Sequence, residues 1–171
     1  MGARPGHYGS AVAVVLVTGM SATGKSTVLA ELARRGHAVV DTDERDWCEE
    51  VDGERLWRVA PMEALLDEHA GGTLVVSGTV ANQGWFYGRF DTVVLLSAPL
   101  DVILDRVRTR ATNDFGKSDA ERARIGDDHA VVEPLLRAGA TVELDTRRPL
   151  ADVVAELESI VTTEGASGRR S

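Results

Sequence analysis

Gly19-Met20-Ser21-Ala22-Thr23-Gly24-Lys25-Ser26-Thr27 decides the fold. The stretch satisfies G-x-x-x-x-G-K-[ST], the spacing that lets backbone N–H groups curl around phosphate oxygens. Before it runs a β-branched apolar segment, Val12 to Thr18. After it, Thr27 to Arg35 has helix periodicity and Gly36 stands at the position that closes a helix. Strand, glycine-rich loop and helix in succession aim the positive end of the helix dipole, roughly half a charge, at a bound anion. The sequence thus predicts a nucleotide site. Gly19, Ser21, Ala22, Thr23, Gly24 and Thr27 enclose the phosphates, Lys25 reaches the β- and γ-phosphates, and the Ser26 hydroxyl ligates Mg²⁺.

Outward from the loop, five apolar runs alternate with helix-like segments: 12–18, 38–41, 74–77, 92–97 and 141–144. Each is continuously apolar, as strands covered on both faces are. The βαβα order predicts an α/β fold: a three-layer α/β/α P-loop NTPase architecture with a five-stranded parallel sheet. Leu100, Ile103, Leu104 and Val107 mark a helix after the fourth run, and Leu150, Val153, Val154 and Leu157 mark the last one. Ser118-Asp119-Ala120-Glu121 has capping-box spacing and opens a helix running toward Gly139. Between these helices a polar stretch reads as a short lid, about residues 111–122. We expect a single domain over residues 11–163, with flexible tails at 1–10 and 164–171.

The net charge of −8 argues against nucleic acid or membrane surfaces as partners. Among 171 residues there is one cysteine, Cys48, which fits a reducing, cytoplasmic setting. No run reaches the ~20 apolar residues of a membrane span, and no signal-peptide core is evident. Only two lysines occur beside seventeen arginines, and one of them is Lys25. The four histidines lack metal-ligand spacing, and His69 and His129 are expected at the surface.

Function in such folds gathers at the carboxyl ends of the strands. Asp41 and Asp43 follow the second run two residues apart, so an extended strand end places them on one face. Asp41 is expected to support the metal and Asp43 to position an acceptor hydroxyl. The third run ends in Ser77-Gly78-Thr79 with no acid, so the Ser77 hydroxyl is expected to help at the metal and the Gly78 N–H to face the γ-phosphate. Arg106 and Arg110 lie four apart, suited to phosphate oxygens, with Lys117 and Arg122 on the lid. Arg148, after the fifth run, is expected to cover the adenine. Asn82, Gln83 and the following Trp85-Phe86-Tyr87 are candidates for a substrate pocket.

In these features the chain resembles the small P-loop metabolite kinases, shikimate kinase above all and gluconate kinase next. Asp41-x-Asp43 is similar to the D-x-D of shikimate kinases, whose first acid serves the metal and whose second serves the substrate hydroxyl. Gly53-Glu54-Arg55-Leu56-Trp57-Arg58 is similar to their G-E-x-x-F-R. That resemblance implies that Arg58 grips the acceptor and that Trp57 fills the aromatic slot. Ser77-Gly78-Thr79 stands where the family has three glycines, which implies acceptor contacts at Gly78 and Thr79. Pro61 replaces the glutamate three residues beyond the arginine, and the lid has no R-P-L run, so shikimate itself is not carried over.

The resulting expectation is an ATP- and Mg²⁺-dependent kinase acting on a hydroxyl of a small polar metabolite, as monomer or homodimer. Lys25, Asp43, Arg110 and Arg106 carry the chemistry. The nucleotide is held by residues 19–27 with Arg110 and Arg148, the metal by Ser26 and Asp41. The acceptor falls to Asp43, Arg58, Gly78, Thr79, Asn82 and Gln83. The alternatives are a nucleoside or nucleotide kinase and a non-catalytic ATP-binding regulatory protein.

Overall fold

Ala13–Thr18 forms the central strand β1, buried along its whole length. Its side chains serve two cores, because successive residues of a strand point to opposite faces. Val15 and Val17 meet Val28, Leu29, Leu32, Val153, Val154 and Leu157 on one side. Val14 and Leu16 meet Trp57, Met62, Leu66, Phe86 and Phe90 on the other. The structure, a computed structural model, describes residues 13–69, 72–111 and 114–167.

After β1 come α1 (Lys25–Arg34), β2 (Ala38–Asp41), β3 (Cys48–Val51), β4 (Glu54–Trp57), α2 (Val59–Glu68), β5 (Thr73–Ser77) and a 3₁₀ stretch (Gln83–Arg89). Then follow β6 (Thr92–Ser97), α3 (Leu100–Thr109), α4 (Asp119–Gly139), β7 (Val142–Asp145) and α5 (Leu150–Ser167). Five strands pair in parallel in the order β2-β5-β1-β6-β7. The chain leaves β1 for one side of the sheet and returns past it to β6, so a crevice opens at the carboxyl end of β1. α1 and α5 cover one face; α2 and the 3₁₀ stretch cover the other.

The five strands and the three layers agree with the expectation. An additional element does not appear in it: β3 and β4 form an antiparallel hairpin, pairing Cys48 with Trp57 and Val51 with Glu54. Its turn is Asp52-Gly53, both with positive φ, 53° and 80°. That is the backbone a two-residue hairpin turn of matching twist requires.

The stretch 111–122 expected as a lid includes the first residues of a helix. α4 starts at Asp119 behind an observed capping box, in which Glu121 N–H donates to Ser118 Oγ (3.2 Å) and Ser118 N–H to Glu121 Oε2 (3.2 Å). Of the expected domain, lid and tails, residues 1–12, 112–113 and 168–171 lie outside the described residues, and 164–167 belong to α5.

Candidate active site

The phosphate loop closes onto α1 through Gly24, which caps the helix at φ 100°, a left-handed conformation that side chains resist. Thr23 fixes the turn by donating its hydroxyl to the Met20 carbonyl (2.7 Å). Lys25 bends back over the loop, its Nζ donating to the carbonyls of Gly19 (2.6 Å) and Met20 (2.9 Å). Desolvation of this ammonium pulls its pKa down from 10.5 to about 8, and the charges of Asp43 and Asp41 partly oppose the fall.

The two acids meet the loop from β2. Ser26 Oγ donates to Asp41 Oδ2 (3.0 Å), and the same carboxylate accepts the Asp43 N–H at Oδ1 (3.0 Å). Asp43 faces an open cleft of about 1240 Å³. Its walls include the phosphate loop, Arg55, Thr79, Arg106, Arg110 and Arg148. Thr79 anchors the first turn of the loop, donating to the Gly19 carbonyl (2.6 Å) and accepting the Gly19 N–H (3.2 Å).

Arg110 caps the end of α3 and stands over the loop, with Nη1 at 3.4 Å from Ser21 Oγ and Nη2 donating to the Phe115 carbonyl (3.0 Å). Its Nε–H is buried with no partner among the described residues. Arg106 also lines the cleft, but its guanidinium braces the walls, donating to Ala22 O (3.2 Å), Thr146 Oγ1 (3.0 Å) and Thr146 O (2.6 Å). Arg148 borders the cleft while paired with Glu156 of α5.

Several expected site residues are placed elsewhere. Lys117 does not border the cleft; its ammonium donates to the carbonyls of Val107 (2.8 Å), Arg108 (2.9 Å) and Arg110 (2.6 Å) at the end of α3. There it satisfies orphan carbonyls and the negative end of the dipole. Arg122 likewise donates to Lys117 O (2.6 Å). Asn82 is buried and holds the backbone of Trp57 at both groups, accepting its N–H (2.8 Å) and donating to its carbonyl (3.0 Å). Gln83 is buried too, accepting Val80 N–H (3.0 Å) and donating to Thr18 Oγ1 (3.1 Å) and Tyr87 Oη (2.9 Å). Polar side chains after a sheet strand suggest recognition, but here Asn82 ties down the Trp57 backbone and Gln83 links Val80, Thr18 and Tyr87.

The Gly78 N–H donates to Val17 O (3.1 Å), and Gly78 does not border the cleft. A Cβ at Gly78 would stand 2.2 Å from Thr42 Oγ1 and 3.0 Å from the Trp57 ring, so close packing explains the glycine. The Ser77 hydroxyl is buried without a partner among the described residues and does not border the cleft. Trp57 is fully buried core, its indole N–H donating to Thr42 Oγ1 (2.8 Å). Arg58 is exposed at the start of α2, donating to Asp46 O (3.2 Å), and does not border the cleft. Trp85, Phe86 and Tyr87 supply no cleft wall either; Phe86 is core and Trp85 is 74% exposed. His129 is not a plain surface residue, since its Nε2 lies 2.6 Å from the buried Glu133 carboxylate.

Arg55 is the charged residue of the cleft lining that the sequence alone does not single out. Arginines 55 and 58 are an odd number apart, so once β4 is extended only one of them can face inward. The Asp52-Gly53 turn was the available signal.

Parallel sheet, phosphate loop and paired acids define a P-loop phosphotransferase. Comparison with known proteins agrees. The AAA domain family matches residues 15–127. A shikimate kinase of Halorhodospira halophila (strain DSM 244 / SL1) is 32% identical over 166 residues, covering 87% of this chain and 92% of its own. The fold matches a shikimate kinase from Acinetobacter baumannii in complex with shikimate, at TM-score 0.63, 20% identity and coverage of 90% and 95%. It also matches a gluconokinase from Sinorhizobium meliloti 1021, at TM-score 0.57, 18% identity and coverage of 93% and 96%. The chain belongs to the shikimate kinase family, within the P-loop proteins that the AAA domain describes, and is an ATP-dependent small-molecule kinase. Among the described residues no helix is long and apolar enough to cross a membrane.

Proposed function

We propose that the chain moves the γ-phosphoryl group of Mg·ATP to a hydroxyl of a small polar metabolite, with residues 19–27 around the phosphates and Asp43 at the acceptor. The observation that carries this reading is the junction of Ser26, Asp41 and Asp43 at the start of α1. The acceptor oxygen bonds to the γ-phosphorus as the bridge to the β-phosphate breaks and ADP leaves with that electron pair. Asp43 orients the hydroxyl and takes its proton. The transition state is loose, so positioning and charge matter more than the basicity of the carboxylate. Lys25 turns from the loop carbonyls to the phosphates, and Arg110 meets the charge that develops on the transferring group. Arg106 braces the loop against the β7–α5 connection, and Arg148 borders the base.

Mg²⁺ fits this chain. A hydroxyl oxygen and a carboxylate oxygen 3.0 Å apart suit an ion that takes one or two protein ligands and completes its shell with phosphates and water. When bound it neutralises oxygens of the β- and γ-phosphates. Shikimate, bound in the Acinetobacter structure, illustrates the size and polarity of the acceptor. The lone cysteine supports a cytoplasmic enzyme, and we expect a monomer or homodimer.

Incubation with γ-labelled ATP, Mg²⁺ and a metabolite extract tests the reading. Label should enter a small molecule with the native chain and not with Lys25→Ala. A calorimetric titration of Mg·ATP that gives no heat would remove the proposal.

A further inference from the structure

Two backbone carbonyls hold the Lys25 ammonium, and each has a second donor. Met20 O accepts the Thr23 hydroxyl at 2.7 Å as well as the ammonium at 2.9 Å. Gly19 O accepts the Thr79 hydroxyl at 2.6 Å as well as the ammonium at 2.6 Å. Thr23 belongs to the phosphate loop itself, whereas Thr79 reaches it from the segment after β5. Gly19 is buried, and a buried carbonyl left without a donor is costly.

The neighbours of Thr79 fix where its proton points. A hydroxyl donates one hydrogen bond and accepts two. Thr79 Oγ1 accepts the Gly19 N–H (3.2 Å) and lies 3.1 Å from Thr18 Oγ1. Thr18 Oγ1 accepts the Gln83 Nε2–H (3.1 Å), so its own proton is available to donate. Gln83 Oε1, held by the Val80 N–H (3.0 Å), lies 3.4 Å from Thr18 Oγ1, and Thr79 is the nearer acceptor. With Thr18 donating to it, Thr79 has both acceptor positions filled, and its proton goes to Gly19 O. The relay runs one way, from Gln83 through Thr18 and Thr79 to the Gly19 carbonyl, and each member polarises the next.

We propose that Thr79 is a positioning residue of the phosphate loop: it keeps the Gly19 carbonyl satisfied when Lys25 leaves for the phosphates, and Thr18 and Gln83 aim its proton. The inference rests on the kinase reading above, in which Lys25 turns from the loop to the nucleotide, and it names the residue that makes this turn possible without an orphaned carbonyl. Without the Thr79 hydroxyl, Lys25 is the remaining donor to Gly19 O among the described residues. A nucleotide would then have to break that bond with nothing to replace it. In this role the hydroxyl is engaged by the loop rather than by an acceptor.

Thr79→Val keeps the branched shape and removes the hydroxyl. Calorimetric titration should show Mg·ATP affinity about tenfold weaker than native, with Thr79→Ser restoring it. A second measurement separates this role from plain packing. In the nucleotide-free protein Lys25 and Thr79 substitute for each other at one carbonyl, so the double variant Thr79→Val, Lys25→Met should lose more melting temperature than the two single changes sum to. Unchanged Mg·ATP affinity in Thr79→Val, or melting losses that add, would overturn the inference and leave the kinase reading standing. Should Thr79→Val not fold, Thr79→Ala carries both measurements; failure of both variants to fold marks a purely structural residue and overturns the inference too. Native protein that gives no heat with Mg·ATP removes the kinase reading, and the inference with it.

Discussion

Lys25 shows how one side chain sets a measurable property of the free enzyme. Desolvation brings its pKa to about 8, so the charged form that phosphate requires begins to disappear just above neutral pH. The sign follows directly: a bound triphosphate favours the protonated amine, so Mg·ATP affinity should be flat below about pH 7.5 and weaken above 8, by up to about tenfold per pH unit. Calorimetry from pH 7 to 9.5 would show this, and Lys25→Arg, whose charge does not titrate there, should abolish the slope. Asn82 gives a contrasting prediction. Its amide holds both backbone groups of a buried tryptophan, so Asn82→Ala should lower unfolding free energy by about 2–4 kcal/mol in a denaturant titration. A residue of the acceptor pocket would instead change KM at constant stability.

At the level of elements, the role proposed for Arg110 would rest, at the end of α3, on a residue outside the cleft. Lys117 collects three carbonyls there, including that of Arg110, and so fixes the backbone from which the Arg110 guanidinium reaches the loop. Lys117→Met should reduce kcat roughly tenfold with little change in Mg·ATP affinity, because misplacing a charge costs more in the transition state than in the ground state. Rapid-quench measurement of the transfer step would check it. The hairpin is a comparable case for the acceptor. Gly78→Ala would press a methyl against Thr42 and Trp57, and should lower the melting temperature and weaken acceptor turnover while Mg·ATP still binds. These elements also show what was legible beforehand. The five parallel strands could be read because burial on both faces leaves continuous apolar runs such as Leu74-Val75-Val76. Residues 19–27, Asp41 at the end of β2 and Asp43 just beyond it could be placed together because phosphate chemistry restricts their types and spacing. The hairpin strands Cys48–Val51 and Glu54–Trp57 are mostly exposed and charged, with no such run, and only their Asp-Gly turn betrays them. Reading the stretch as a motif instead of a strand put weight on Arg58 and passed over Arg55. Asn82 and Gln83 differ for another reason: sequence does not reveal whether a polar side chain serves a ligand or other groups of the protein.

The molecule as a whole carries a net charge of −8, yet Lys25 and four arginines line its cleft. A negative body with a positive opening focuses the field inward, so nucleotides are drawn to the site while polyanions are repelled elsewhere. Mg·ATP affinity should therefore fall several-fold between about 20 and 300 mM NaCl, a range over which the screening length shortens severalfold. A fluorescent nucleotide titrated at each salt concentration would measure it. The bond from the Trp57 indole to the hydroxyl of Thr42 has a further consequence. With the Asn82 amide and the Ala81 N–H holding the backbone of β4, it makes β3 and β4 a cassette plugged into the sheet. If the acceptor lies beside Asp43 as proposed, substitutions along the cassette should retune which alcohol is chosen while the ATP half stays intact, and divergence among related enzymes should concentrate between positions 48 and 57. Grafting those ten positions from one such enzyme to another should exchange their preferences.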